Sequence, residues 1–142
     1  MNMNKKDFFS VRDIENFISI SDRYEKNIPD YFSERYIESV ISKLKQDKTC
    51  TTCVPAIFCR IPDRLKTVEM SKYAIDDSFV NIKYVPKNIQ NDPDFFEYIY
   101  SSFFDNRRYM HMIQKFLLYY MDDDLFYNIR ALLDLKGVKQ LW

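Results

Sequence analysis

The feature that most constrains the fold of this chain is that Gly137 is its single glycine among 142 residues. Glycine adopts positive φ angles without strain, and tight β-hairpin turns depend on it. Helices can still be joined through proline, asparagine and aspartate corners, which this chain contains. The composition therefore predicts an all-α protein, and it excludes Walker-type and dinucleotide-binding glycine loops.

Apolar side chains recur at helical spacing along the chain. Several of these stripes begin after a residue that can cap a helix, such as Ser10, Ser33 and Thr67. We expect a small bundle of about six helices, in which segment 78–85 forms a short helix or an extended turn rather than a strand. The residues expected in the core include Ile37, Ile41, Ile75, Phe96, Ile99, Ile113, Phe116 and Leu132.

The length of the chain is sufficient for one domain with a substantial core. We expect a single helical domain over residues 1–142, with a flexible N-terminus at about residues 1–9. Residues 49–64 are expected to form an irregular connection rich in cysteine and proline. Within it, Pro55 fits the first turn of a short helix, which must end near Ile61 because a proline follows.

A phrase built around proline occurs three times. In each copy a β-branched residue precedes the proline, an apolar residue follows three positions later, and a capping residue comes one or two positions after that. The three prolines are Pro29, Pro62 and Pro86, and the caps are Ser33, Thr67 and Asn91. Such recurrence is typical of stacked helical units, each too small to bury its apolar face alone. A stacked, helical-repeat-like bundle usually binds other molecules rather than catalysing a reaction.

One copy of the phrase resembles a known repeat. Residues 74–86 read A-I-D-D-S-F-V-N-I-K-Y-V-P. This segment is similar to the unit A-(I/V)-x-(N/D)-x-x-x-x-(L/I)-(K/E)-Y-(V/A)-P of an uncharacterised helical-repeat family of bacterial, phage and giant-virus proteins. The resemblance implies an all-helical stack and no particular activity.

The charge balance and cysteine content indicate the class of protein. The chain has 21 basic and 21 acidic residues, so we do not expect the general nucleic-acid binding that clustered Lys and Arg provide. No apolar run approaches the roughly 18 residues of a membrane span, and we expect neither a membrane association nor a cleaved secretory signal. Three cysteines fit a reducing compartment, which indicates the cytoplasm of the producing or host cell. The abundant Phe, Tyr, Ile, Asn and Lys residues indicate an AT-rich genome.

The candidate metal and catalytic residues are few. Cys50, Cys53 and Cys59 could hold a structural zinc only if His111 supplied the fourth ligand. His111 lies off the neighbouring apolar stripe, so we predict no bound metal, and we assign no cofactor and no catalytic residue. Most paired aspartates precede predicted helices, where negative charge is favourable because of the helix dipole. These aspartates are Asp92, Asp94, Asp122, Asp123 and Asp124.

The sequence pattern of the C-terminal half predicts a partner-binding surface. Its aromatic run, Phe95 to Tyr127, holds more apolar side chains than one inward stripe needs. Two cations before a helix, Arg107 and Arg108, are locally unfavourable, which favours a contact with a partner or a phosphate. Aromatic residues beside cations are typical of interface hot spots. The predicted partner-binding residues are Tyr98, Tyr100, Arg107, Arg108, Lys115 and Tyr119.

We therefore expect a non-catalytic protein–protein interaction module. Its partner is another protein of a host, or a second copy of the chain in a homodimer. It could act as a phage or mobile-element inhibitor of a host defence protein, or as a bacterial effector. Two alternatives stay open: an enzyme with a nonstandard Asp/Tyr/Arg site in a deep pocket with convergent carboxylates, and a single-stranded nucleic-acid binder that uses aromatic stacking.

Overall fold

A computed structural model describes residues 4–27, 33–46 and 54–138. Every regular element in these ranges is helical, so the predicted all-α fold is confirmed. Six helices have seven residues or more: α1 (Val11–Asn27), α2 (Glu34–Gln46), α3 (Val68–Asp77), α4 (Pro93–Ile99), α5 (His111–Tyr120) and α6 (Asp123–Leu135). None of the described helices is long and apolar enough to cross a membrane.

Short helical turns connect these six helices. They are the α-turns Val54–Ile57 and Lys87–Gln90, the 3-10 helices Lys5–Phe8, Phe58–Arg60, Asp63–Leu65 and Phe79–Tyr84, and the π-helical turn Tyr100–Phe104. In segment 78–85 apolar and polar residues alternate as they do in a strand. The segment nevertheless contains the 3-10 helix Phe79–Tyr84, in agreement with the expectation of a short helix or turn. Its side chains Val80, Asn81 and Ile82 are buried, so this turn forms part of the core.

The predicted caps are confirmed at most helix starts, with one difference. Ser10 and Thr67 accept hydrogen bonds from backbone N–H groups three residues on, at 3.1 and 3.2 Å. Asn91 instead ends the preceding turn, with φ −91° and ψ 3°. Asp92 caps α4 and accepts from the N–H two residues on at 2.9 Å. Pro93 takes the first helical position, which keeps Asp92 in the extended conformation that a cap requires.

Two of the three proline corners can be compared. Pro62 (φ −59°, ψ 142°) and Pro86 (φ −60°, ψ 150°) have matching backbone angles. Each precedes one short helical turn and then a longer helix, α3 or α4. Pro29 lies outside the described residues, so the threefold repeat stays a prediction.

Phe116 of α5 is one of the fully buried core residues. Its ring lies 5.6 Å from Phe17, 5.0 Å from Phe79 and 4.5 Å from Tyr120, measured between ring centroids. Aromatic pairs of this kind add about 0.5–1.5 kcal/mol each beyond the apolar area they bury. This cluster therefore joins α1, α5 and the Phe79–Tyr84 turn.

The expected core residues divide into two groups. Ile75, Ile99 and Phe116 are buried, as predicted. The expectation of full burial is wrong for the other five, which are only half-buried: Ile37, Ile41, Phe96, Ile113 and Leu132. Helical spacing identifies an apolar face, but it does not say how much of that face another element covers.

Residues 4–9, within the stretch expected to be a flexible N-terminus, pack against the rest of the protein. They form a capped 3-10 helix followed by Phe9, which is 7% exposed and packs against the ring of Phe17. The Lys5 side chain is buried, and its ammonium donates a hydrogen bond to the carbonyl oxygen of Met121. Burial lowers the pKa of Lys5, because an ammonium is poorly solvated there.

Only part of the connection over residues 49–64 is described. Residues 49–53 lie outside the described residues, and the rest consists of short helical turns. Pro55 lies in the first of these turns, and Ile61 has left the helix with ψ 132°. Three apolar side chains of this segment are fully buried, which explains its regularity: Val54, Ile57 and Phe58.

Candidate functional site

The candidate site begins where α4 passes directly into the π-helical turn Tyr100–Phe104. The backbone N–H of Asp105 donates to the carbonyl oxygen of Tyr100 at 2.8 Å, a bond that spans five residues. Turns of this type are rare and are frequently found at functional sites. Phe103 and Phe104 at its end are buried, so the chain reaches the surface at Asp105.

The loop between this turn and α5 carries the two predicted arginines. Its conformation is held by Asn106, whose Oδ1 accepts from the backbone N–H of Arg108 at 3.0 Å. The side chains of Arg107 and Arg108 are exposed, and neither guanidinium has a hydrogen-bond or ion-pair partner within the described residues. Helix α5 then begins at His111, after Met110, whose side chain makes no capping hydrogen bond.

The facing wall is the C-terminal end of α6. Gly137 has φ +74°, the only positive φ among the described residues. Its N–H donates to the carbonyl oxygen of Asp134 at 3.1 Å, and the N–H of Val138 donates to that of Leu133 at 2.9 Å. These two bonds form a Schellman motif, which explains why the single glycine lies here. The motif ends the helix beside the loop and brings Lys136 to face it.

The loop that carries the arginines and the C-terminal end of α6 enclose an open hollow of about 640 Å³, which we call the Arg107 hollow. Its polar and aromatic lining includes Asp105, Arg107, Tyr109, His111, Gln114 and Lys136. Gln114 ties α5 to the π-helical turn, because its Nε2 donates to the carbonyl oxygen of Phe103 at 2.9 Å. Hydrogen bonds therefore hold together the elements that form the walls of the hollow.

Lys136 determines much of the charge in the hollow. Its ammonium lies 4.7 Å from the ring centroid of Tyr100 and 3.9 Å from Oδ1 of Asp105. The hydrogen bond with the Tyr100 hydroxyl raises the pKa of Lys136, and the Asp105 carboxylate acts in the same direction. Lys136 is therefore positively charged throughout the neutral pH range. Asp105 is the single carboxylate in the described lining, so this hollow lacks the convergent pair that the enzyme hypothesis requires.

Three of the six predicted partner-binding residues belong to this region. Arg107 lines the hollow, and Arg108 is the next residue in the same exposed loop. Tyr100 is half-buried and reaches the hollow through its contact with Lys136. Lys136 itself was missed by the sequence reasoning. Gly137 locates the end of α6, but nothing in the sequence indicates that this end lies beside the arginine loop.

Tyr98 faces a different part of the molecule. It is half-buried, and its hydroxyl donates a hydrogen bond to the carboxylate of Asp76 on α3. Burial, together with this hydrogen bond, raises the pKa of the Tyr98 hydroxyl. The ammonium of Lys72 lies 5.3 Å from the Tyr98 ring centroid. Tyr98 therefore connects α3 to α4 and is separate from the Arg107 hollow.

Lys115 and Tyr119 face α1. Nζ of Lys115 lies 3.4 Å from Oδ2 of Asp13, and both side chains are largely buried. The ring centroid of Tyr119 lies 5.1 Å from that of Phe17. Phe126, which belongs to the same aromatic run, is fully buried. Tyr98, Lys115 and Tyr119 thus pack against α3 and α1, apart from the loop that carries Arg107 and Arg108.

A second polar cluster joins α1 to the Phe79–Tyr84 turn. The Glu25 carboxylate accepts hydrogen bonds from the Tyr84 hydroxyl at 2.7 Å and from the Lys83 ammonium at 3.0 Å. Lys83 also donates to the hydroxyl of Ser21. Burial and the Glu25 carboxylate raise the pKa of Tyr84. Because these charged groups pair with one another, we assign this cluster to the stability of the fold.

The candidate zinc ligands are only partly described. Cys50 and Cys53 lie outside the described residues. Cys59 is a half-buried free thiol, and burial raises its pKa. His111 is exposed at the Arg107 hollow. In the described part of the chain, no group of three or more His, Cys, Asp or Glu side chains is arranged to hold a metal ion.

Comparisons of the chain with known protein families, with curated proteins and with solved structures find no match. Neither sequence similarity nor structural similarity therefore assigns a role to the Arg107 hollow. An all-α architecture by itself implies no particular activity.

Proposed function

We propose that the protein is a non-catalytic module that binds another protein, and that the Arg107 hollow receives an acidic segment of this partner. The observation that carries the proposal is a pair of exposed arginines, Arg107 and Arg108, beside a hollow that Lys136 lines; their guanidinium groups have no partner among the described residues. Arginine is suited to this role because its planar donors bind a carboxylate through two parallel hydrogen bonds.

The charges in the hollow favour an acidic ligand. Arg107 and Lys136 are opposed only by Asp105 in the described lining, and Asp105 already lies 3.9 Å from the Lys136 ammonium. The first N–H group of α5, that of His111, has no hydrogen-bond partner within the described residues and would also favour a nearby carboxylate. Exposed ion pairs contribute only about 0.2–1 kcal/mol each, so these charges select and orient the partner more than they hold it.

Apolar contacts must therefore supply most of the affinity. Met110 is 66% exposed and lies between the two arginines and α5. Tyr109 lines the hollow and is half-buried, with its ring centroid 4.7 Å from that of Phe103. Fully burying a methionine side chain is worth roughly 1.5–3 kcal/mol. We expect an apolar residue of the partner beside its acidic segment to contact Met110 and Tyr109.

Two biological settings are included in this proposal. The protein could occlude a host defence protein as a phage or mobile-element inhibitor, or it could act on a host protein as a bacterial effector. The identity of the captured partner distinguishes them. The stacked helical-repeat origin suggested by residues 74–86 is part of the same proposal, because such scaffolds present extended binding surfaces.

The test compares two charge-reversed variants as baits for partner capture. Arg107→Glu with Arg108→Glu alters the hollow, while Arg35→Glu with Arg64→Glu changes the same charge at exposed positions elsewhere. A partner retained by the wild type and the control, and lost by the hollow variant, is then purified for calorimetry. We expect its Kd to rise at least about tenfold, since reversing two exposed ion pairs changes the binding free energy by more than about 1.4 kcal/mol.

Equal binding by both variants would show that the interface lies elsewhere. Unchanged melting temperatures of both variants serve as the folding control. Single-stranded DNA is titrated in parallel at two salt concentrations. Binding that falls steeply with salt, and that the hollow variant lacks, would favour the nucleic-acid alternative.

A further inference from the structure

Two of the half-buried residues that were expected in the core line the same groove. Phe96 of α4 and Leu132 of α6 lie in an open groove of about 510 Å³ between these helices, which we call the α4–α6 groove. Leu135 at the end of α6 also lines it and is 84% exposed, more than any other large apolar side chain that the structure describes. The sequences of these helices are amphipathic, yet among the described residues no element covers this part of their apolar faces.

The chemistry of the groove indicates an apolar occupant. Its described lining consists only of apolar and amide side chains, including Phe96, Leu125, Asn128, Ala131, Leu132 and Leu135. The stretch of α6 from Leu125 to Leu135 is about 15 Å long at the usual helical rise. Ala131 in its middle is small and exposed, so another helix can approach closely there.

We propose that the α4–α6 groove is the interface of a two-fold symmetric homodimer, in which α6 packs antiparallel against α6 of a second copy. The charges at the two helix ends support this occupant. Asp123 and Asp124 at the start of α6 have side chains 72% and 71% exposed, and Lys136 after its end is 49% exposed. Antiparallel packing brings the acidic start of one α6 toward the basic end of the other, and it aligns the two helix dipoles favourably.

The positions of the exposed apolar residues also match two-fold symmetry. Tyr127 and Leu135 are the large apolar residues of α6 that are exposed, at 43% and 84%. They lie four residues before and four residues after Ala131. A two-fold axis beside Ala131 therefore places Leu135 of each copy against Tyr127 of the other, next to the groove. One surface thus provides both the protruding side chain and the recess that receives it.

The size of this face sets the expected strength of the dimer. Helix α6 has 13 residues, which corresponds to about 20 Å. A single helix pair with its flanking residues lies at the low end of interface sizes, below roughly 1,200 Å² in total. We therefore expect micromolar association. The dimer does not rest on the acidic-segment proposal, because the arginine loop is not part of the groove lining.

The test is sedimentation equilibrium of the full chain from low micromolar to several hundred micromolar concentration, with three new variants and the Arg107→Glu, Arg108→Glu variant. Leu135→Glu and Ala131→Arg should each weaken the dimer at least tenfold, while the melting temperature at low concentration stays unchanged because both residues are exposed. Ile18→Glu is the control, since Ile18 is an apolar residue of α1 that is 50% exposed outside the groove. It should leave the dimer intact.

A wild-type protein that stays monomeric at the highest concentration overturns the proposal. So does a dimer that tolerates both Leu135→Glu and Ala131→Arg, or one that the Ile18→Glu control weakens equally. A dimer lost in the Arg107→Glu, Arg108→Glu variant and retained in Leu135→Glu would place self-association at the Arg107 hollow instead.

Discussion

Replacing Gln90 with leucine should destabilise the fold, because this buried amide connects three segments of the chain. Gln90 is 4% exposed. Its Nε2 donates to the carbonyl oxygen of Val85 at 3.1 Å and to that of Ile82 at 3.4 Å. Its Oε1 accepts from the backbone N–H of Asp122, the N-cap of α6, at 2.6 Å. Leucine has a similar size but can form none of these bonds.

The size of the loss in unfolding free energy depends on which groups lose their hydrogen-bond partners. The Ile82 carbonyl keeps a bond from the N–H of Val85 at 3.3 Å, whereas the Val85 carbonyl has no other hydrogen bond within the described residues. Val85 is buried, so its unpaired carbonyl costs about 1–3 kcal/mol. Asp122 is only half-buried, so we expect that loss to be nearer to about 1 kcal/mol. We expect a total of about 2–4 kcal/mol, which lowers Tm by roughly 6–12 °C for a chain of this length.

Urea denaturation followed by circular dichroism measures this loss, with Gln90→Glu as a matched variant. The glutamate keeps an acceptor for Asp122, but its carboxylate faces the two carbonyl oxygens. Protonation restores a donor, so Gln90→Glu should be more destabilised at pH 8 than at pH 5, while the loss in Gln90→Leu should hardly change. If Gln90→Leu stays within about 0.5 kcal/mol of the wild type, or if Gln90→Glu shows no dependence on pH, the bonding role given to Gln90 is refuted.

Two further outcomes test other parts of the fold. Hydrogen bonds from Tyr84 and Lys83 hold the pKa of Glu25 below its ordinary value of 4.5, so its contribution to stability is present above that pH and is lost as the pH falls through the lowered pKa. Glu25→Gln should therefore cost less than about 1 kcal/mol at pH 7, and the difference should shrink in urea titrations as the pH falls below 4.5. Gly137→Ala should cost about 1–2 kcal/mol because of the positive φ, although no atom of the described residues lies within 4 Å of an added Cβ. Gly137→Asn, which tolerates this conformation better, should lose less in thermal unfolding, and an equal loss would contradict that explanation.

The helices could be predicted because their causes are local. A cap such as Ser10 or Thr67 and the apolar stripe behind it act within one or two turns of the chain. The cap of α4 lies at Asp92 instead of at the predicted Asn91, and this shift has a tertiary cause as well as a local one. Nδ2 of Asn91 donates to the Asp122 carboxylate at 3.0 Å and to the Lys87 carbonyl at 3.1 Å, so Asn91 closes the preceding turn and Asp92 caps α4.

The candidate site was predictable only in part. Arg107 and Arg108 could be found because two cations before a helix are a local conflict that the sequence displays. Lys136 could not, because its place in the hollow depends on where α6 ends relative to a loop about thirty residues earlier. The sequence also does not show that Tyr98 and Tyr119 pack away from the hollow, since the elements they contact, α3 and α1, are distant in sequence.

The sequence by itself determined the all-α class, the positions of most helix starts and the C-terminal stop at Gly137, because backbone hydrogen bonds and caps form between near neighbours. Only the tertiary structure decided which apolar faces are covered. Phe116 is fully buried, whereas Phe96 and Leu132 lie along an open groove, although all three follow the same helical periodicity. Burial depends on contacts between segments far apart in the chain, and the spacing within one helix contains no information about which segment will pack against it.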